Sequence, residues 1–273
     1  MNLSVHGHTV YCYTGGRAFD AAKPTVVFVH GVLNDHSVFG LQTRYLAHHG
    51  WNVLALDLPG HCRSAGEPPR SVEEAAGFIV ALLDAAGLRQ AALVGHSFGS
   101  LAALEAAARA PDRVSRVALL ATASPMKVSA ALLDAARDEP LRSIDMTDRF
   151  SHSTLAPPPS SLGPGTWLYG LSRALMRRVQ ASNPRANLAH TGFKACNDYQ
   201  GADAAMAAVR CPVLFVLGRA DAMTPSAMAQ GLAARARDGR TVLVDAGHDM
   251  MAEAPDAVLD ALKDFLQTSG ASA

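Results

Sequence analysis

The 273-residue chain predicts an α/β architecture, a mostly parallel, doubly wound sheet of about eight strands with helices on both faces. Three observations carry this expectation. Near-continuous apolar runs occupy residues 26–29, 53–56, 91–94, 117–120, 213–217 and 242–244, as strands covered on both faces require. Helical periodicity fills the intervals between most of them, over 36–49, 72–86, 98–110, 225–236 and 255–266. Residues 5–13 instead alternate apolar and polar, which suits an antiparallel hairpin at a sheet edge.

Taken in order, each run is bounded by its own punctuation. The strand TVVFVH ends at Gly31, and the one reading NVLALD ends before Pro59 and Gly60. AALV runs into Gly95, and the proline-led CPVLFVLG breaks at Gly218 into a turn carrying Asp221. The last strand, within TVLVD, is followed by Gly247 and His248. Residues 125–208 break the alternation. They contain LAPPPSSLGPG, which continues neither a helix nor a central strand, with helical stretches at 128–137, 167–180 and 186–199 around it. Residues 269–273 read as a frayed tail.

Composition bounds the function. Half of the residues are hydrophobic, enough for a large single core, and 24 basic residues balance 24 acidic ones. No basic stretch interleaved with aromatics supports nucleic-acid binding, and no apolar run has the length of a membrane span. The N-terminus has no charged region followed by a long apolar segment, so a cytoplasmic protein with reduced thiols is expected. Cys12, Cys62, Cys196 and Cys211 form no C-x-x-C pair, and neither His6 with His8 nor His48 with His49 has the company a metal needs. No metal and no cofactor are expected. A small-molecule partner remains.

The chemistry concentrates in AALVGHSFGS. Ser97 lies at the centre of Gly-x-Ser-x-Gly between a strand and a helix, where Gly95 and Gly99 leave room for a sharp turn that exposes the hydroxyl. A serine hydroxyl is a poor nucleophile without a base and a group to orient that base. Asp221 and His248 each fall just past the carboxyl end of a strand and can supply these roles, although a turn cap for Asp221 and a capping or packing role for His248 are the simpler alternatives.

With the serine, acid and base in that chain order, the sequence resembles the α/β-hydrolase family over residues 25–124 and 209–266. The resemblance implies Ser97 as nucleophile, His248 as general base and then acid, and Asp221 as the orienting carboxylate, with Asp245 and Asp249 as rivals for that last role. It implies an oxyanion hole from the backbone N–H groups of Phe98 and Val32, with Leu33 the near alternative, and gives His30 a structural place. It divides the chain into a core over 1–124 and 209–268 and a helical cap over 125–208 that selects the substrate. Leu33, Trp167, Met176 and Met250 are the candidates to touch it. Arg173, Arg177 and Arg178 suit either an acidic group or a solvated helix face. Cys62 stands where the family's loop usually has glycine, as a tolerated turn residue or as a thiol near the pocket mouth. The implied activity is cleavage of a small to medium carboxylic ester through an acyl-serine. Thioesterase, lactonase, perhydrolase and carbon–carbon hydrolase activities share the triad, and a non-catalytic receptor of the same fold is the alternative of a different class.

Overall fold

A computed structural model describes residues 1–153 and 167–267. The proline-rich stretch 155–165 and the tail 269–273 fall outside the described residues. Eight strands form one sheet in the order β1-β2-β4-β3-β5-β6-β7-β8. They are β1 (Asn2–Val5), β2 (His8–Tyr13), β3 (Thr25–Val29), β4 (Asn52–Leu56), β5 (Ala91–His96), β6 (Val114–Leu120), β7 (Val213–Gly218) and β8 (Gly239–Val244). β1 and β2 pair antiparallel, β2 joins β4 antiparallel, and all pairings from β4 to β8 are parallel. The edge hairpin is longer than its alternation suggested. Its two-residue loop, His6 and Gly7, has φ of 51° and 78°, the left-handed pair that matches strand twist.

Strand side chains point alternately to the two faces, and each face has its own core. Val27, Val29, Leu93, Val117 and Phe215 pack on α2 (Val72–Ala85) and α3 (Phe98–Arg109). Val26, Phe28, Val94, Leu120 and Val216 face α1 (Gly40–His48) and the C-terminal helix (Pro255–Gln267). A 3-10 turn, His36–Phe39, precedes α1, and Asp35 caps it by accepting from Ser37 N at 2.8 Å.

Between β6 and β7 the chain inserts α4 (Ala130–Asp138), α5 (Pro140–Ser151), α6 (Leu168–Ser182), α7 (Leu188–Asp198) and α8 (Ala202–Ala208). A third core, with Leu132, Ile144, Met176, Val179 and Leu188, holds the first four together. Leu33 reaches into it from the loop after β3, at φ 58°. The sequence pattern misses α5 because four of its five buried residues, Ser143, Thr147, Asp148 and Ser151, are polar. α8 lies inside 125–208 yet packs on the sheet's first face through Ala202, Ala205 and Met206, whose helical spacing puts them on one side. After β8, a short α10 (Met250–Glu253) precedes α11 (Pro255–Gln267); α9 (Gln230–Arg235) connects β7 to β8.

Candidate active site

Parallel strands deliver their following loops to one end of the sheet, where the crevice of an open α/β fold lies. β5 delivers Ser97 there at φ 53° and ψ −120°, an unfavourable conformation for any residue with a side chain. Its surroundings impose it. A Cβ on Gly95 would overlap the Gly99 carbonyl and one on Gly99 would overlap the Val29 carbonyl, so helix and strand meet backbone to backbone. Ser97 N donates to Leu120 O at 2.9 Å, and Ser100 Oγ donates to Ser97 O at 2.6 Å. Gly31 lets the loop after β3 approach, since its Cβ would meet Ser97 Cβ at 3.1 Å. Val32 therefore lines the same space as Ser97. Among the described residues, no turn, loop or cap hydrogen bond to a backbone carbonyl takes up the N–H of Val32 or Phe98.

His248, brought by the loop after β8, shares a cavity wall with Ser97. Its Nδ1 lies 2.9 Å from Asp221 Oδ2. Asp221 is itself fully engaged: Oδ1 accepts from the N–H groups of Met223 at 2.9 Å and Thr224 at 2.8 Å, and Oδ2 from Thr224 Oγ1 at 2.7 Å. Burial opposes charge on both partners, yet their mutual attraction wins. His248 is held above the ordinary histidine pKa by Asp221, and Asp221 below the ordinary carboxylate value by His248 and the Thr224 donors. The rival carboxylates are elsewhere: exposed Asp245 pairs with Arg219 at 2.9 Å, and Asp249 with His152 at 3.4 Å.

Two further residues hold the loop that carries His248, and sequence reading passed over both. His96 Nε2 donates to His248 O at 2.9 Å, which fixes the proton on Nε2 because a carbonyl can only accept. Burial lowers the His96 pKa to about 4, so the ring stays neutral, with its buried Nδ1 lacking a hydrogen-bond partner. Glu253, also buried, accepts from Gly247 N at 2.8 Å, from Ser153 N at 2.7 Å and from Ser153 Oγ at 2.6 Å. One carboxylate thus ties the loop of His248 to the chain leaving α5. Asp249 N adds a bond to Ser151 O at 2.9 Å. The signal available was position only: Glu253 follows His248 by five residues, and a buried glutamate gives no periodic trace.

The cavity at Ser97 and His248 has a volume of about 300 Å³, with walls from Met126, Val128, Leu132, Phe193 and Met223. A narrow space of about 40 Å³ adjoins it, bounded by Met176, Asn34 and Ser172 as well as the same serine and histidine. Of the expected substrate contacts, the structure brings only Met176 to this space. Leu33 is buried in the third core and Met250 in the second-face core. Trp167 is 63% exposed and borders neither space: it precedes the first turn of α6, with Arg173 over its ring. Phe150, Thr147 and Met223 line the cavity instead.

The remaining sequence features are accounted for within the protein. His30 accepts from Leu58 N at 3.0 Å and contacts Gly31 O through Nδ1 at 2.9 Å, a structural role. Arg173 pairs with Asp145 and Asp148, Arg177 with Asp145, and Arg178 with Asp35 at 2.7 Å. Cys62 occupies a turn at φ 44°, and burial with the nearby Asp35 and Asp57 pushes its thiol up to about 12. That thiol stays protonated. Asp35, His36 and Asp57 could offer three ligand atoms within 4.8 Å, but the Asp57 Oδ1 already accepts from His36 N at 3.0 Å and Asp35 Oδ2 from Arg178. No described helix is long and apolar enough to cross a membrane.

Several known proteins resemble this chain. The chain is 29% identical over 270 residues to a pimeloyl-[acyl-carrier protein] methyl ester esterase of Neisseria meningitidis, covering 91% of this chain and 95% of that protein. A 114-residue stretch is 38% identical to the dihydrolipoyllysine-residue acetyltransferase component of an acetoin cleaving system from Cupriavidus necator, covering 40% of this chain and only 28% of that protein. The chain thus spans little more than a quarter of that relative. Among solved structures, an enol-lactonase from Burkholderia xenovorans LB400 superposes with a TM-score of 0.83 at 22% identity, covering 97% of this chain and 99% of the other. An esterase from Exiguobacterium antarcticum does so with 0.80 at 16% identity, covering 98% and 99%. The family model for the alpha/beta hydrolase fold matches residues 24–255, most of the chain and every strand from β3 to β8, and this chain belongs to that family.

Proposed function

We propose that the chain is a serine hydrolase that cleaves a carboxylic ester through an acyl-serine intermediate. The observation that carries the reading is the 2.9 Å contact between His248 Nδ1 and Asp221 Oδ2, with His248 and Ser97 lining one cavity. Ser97 Oγ attacks the ester carbonyl while the free imidazole nitrogen takes its proton. Asp221 keeps the ring in the tautomer that leaves that nitrogen open and stabilises the imidazolium. The N–H groups of Val32 and Phe98 receive the oxyanion, the second from the start of α3, where the helix end favours negative charge. The carbon–oxygen bond breaks, and His248 returns the proton to the leaving oxygen. Water then attacks the acyl-serine by the same route and releases the acid.

The helices of 125–208 act as the cap in this reading. Leu132 of α4 and Phe193 of α7, with Met126 and Val128 from the loop before α4, wall the cavity and set the acyl preference. The ester esterase that matches nearly end to end supports an ester bond as the target. A thioester or lactone would use the same atoms. Incubation with a fluorophosphonate tests the assignment: the adduct is expected on Ser97, located by peptide mass, with turnover of p-nitrophenyl butyrate lost in Ser97→Ala. Labelling at another residue, or turnover surviving in the alanine variant, overturns it. An unlabelled protein whose melting temperature rises with a ligand would instead be a receptor.

A further inference from the structure

Ser97 lies between two spaces, and the second of them has no assigned role. Beyond the narrow neck, an open groove of about 840 Å³ runs between the α1 region and α6. The neck shares Ser172, Leu175 and Asp249 with this groove and shares Ser97, His248 and Phe193 with the inner cavity. The three spaces therefore adjoin in series, with the nucleophile and base at the middle.

The groove lies on the side of the base. Its lining includes Asp249, Met251 and Ala252, three of the four residues that follow His248. In acyl transfer the proton from the base goes to the leaving oxygen, so the leaving group must extend over the base and the acyl group away from it. The groove walls carry the apolar side chains of Leu41, Leu168, Leu171 and Leu175 beside the charged Arg44, Arg178 and Asp249. Leu41 from α1 and Leu171 from α6 are 52% and 53% exposed, apolar surface that a bound chain would cover. The neck, at about 40 Å³, is the smallest of the three spaces, which favours an unbranched chain there.

We infer that this groove binds the leaving group, and that the substrate is an ester of a long, unbranched primary alcohol with its acyl group in the inner cavity. The inference rests on Ser97 and His248 acting as proposed above. An open groove suits this portion: the alcohol leaves first and vacates the path by which water reaches the acyl-serine, while the acyl group stays held behind the neck.

Two ester series separate the possibilities. With the acyl group fixed as butyryl, kcat/KM is expected to rise from methyl to octyl alcohol and to fall when the carbon beside the ester oxygen is branched. Leu41→Glu and Leu171→Glu change exposed side chains, so the fold is retained. Each is expected to lower kcat/KM for octyl butyrate by about tenfold, the scale of a lost hydrophobic contact, while methyl butyrate changes less than about twofold. Methyl esters of growing acyl length should be indifferent to both substitutions. A flat response to alcohol length, or equal losses for methyl and octyl esters, overturns the groove assignment with Ser97 chemistry intact. Turnover surviving in Ser97→Ala removes the catalytic reading first and this inference with it.

Discussion

The ring of His96 donates from Nε2 to the backbone carbonyl of His248 at 2.9 Å, so the residue before Ser97 holds the backbone of His248. With its pKa lowered to about 4, the His96 ring keeps this bond unchanged across the neutral range. Replacing His96 by phenylalanine preserves bulk and removes the donor, leaving the His248 carbonyl buried without it. A loss of about 1–3 kcal/mol in urea unfolding is expected, reduced by removal of the unpartnered Nδ1, together with a lower kcat. Unchanged kcat would show that the base holds its place without this tie.

Asp221→Asn is expected to leave the fold intact and lower kcat by roughly 10³- to 10⁴-fold, because an amide stabilises the wrong imidazole tautomer. Near-normal activity in this variant, with loss in Asp249→Asn, would move the orienting role to Asp249.

The pH dependence has a definite sign. Catalysis needs neutral His248, whose pKa is raised, so kcat/KM should climb with pH through a value above the ordinary histidine pKa of about 6.5. In Asp221→Asn the limb should move toward acid, since the charge that raises the pKa is gone. Stability runs the other way for the histidine. Its contribution is complete below the unfolded pKa and disappears as pH rises through the folded one. Asp221, with a lowered pKa, contributes above the ordinary aspartate value and loses that contribution as pH falls through its folded pKa. Rate–pH profiles of both proteins, with urea midpoints at each pH, measure these shifts.

Glu253→Gln places an amide NH₂ against an N–H donor in either orientation, since one oxygen faces Ser153 N and the other faces Gly247 N. Lower kcat with little change in KM is expected. Its effect should shrink when combined with Asp221→Asn, where the ring of His248 is already misdirected. Fully additive losses in the double variant would reduce Glu253 to a general stabilising role.

Met176→Ala should change the ratio of kcat/KM between short and long esters, because Met176 borders the neck, whereas Trp167→Ala should leave the ratio within about twofold. An equal shift from both would place Trp167 over the site after all.

The sheet was legible because parallel strands buried on two faces write near-continuous apolar runs, which Ser97 and Asp221 each follow directly, whereas β8 ahead of His248 is an edge strand with four of its six residues exposed. The inserted helices were less so. α5 buries serine, threonine and aspartate, so its pattern carries no apolar stripe and leaves Phe150, a cavity residue near its end, unmarked. Trp167 misled through its size: a large aromatic suggests a pocket wall, but it precedes the first turn of α6 and turns outward. Glu253 and His96 act through backbone groups of other loops, which no spacing in the chain reveals.

The fastening of Gly247 and Ser153 to the single carboxylate of Glu253 bears on how such a chain can be remodelled. Chimeras that graft a foreign insert between β6 and β7 are an obvious route to new selectivity. A donor segment without an N–H and hydroxyl at the Ser153 position would leave the Glu253 carboxylate short of two of these three partners beside the loop of His248. Such a transplant should misfire in turnover even where its pocket fits, and the splice that preserves 151–153 from the recipient is the one to build.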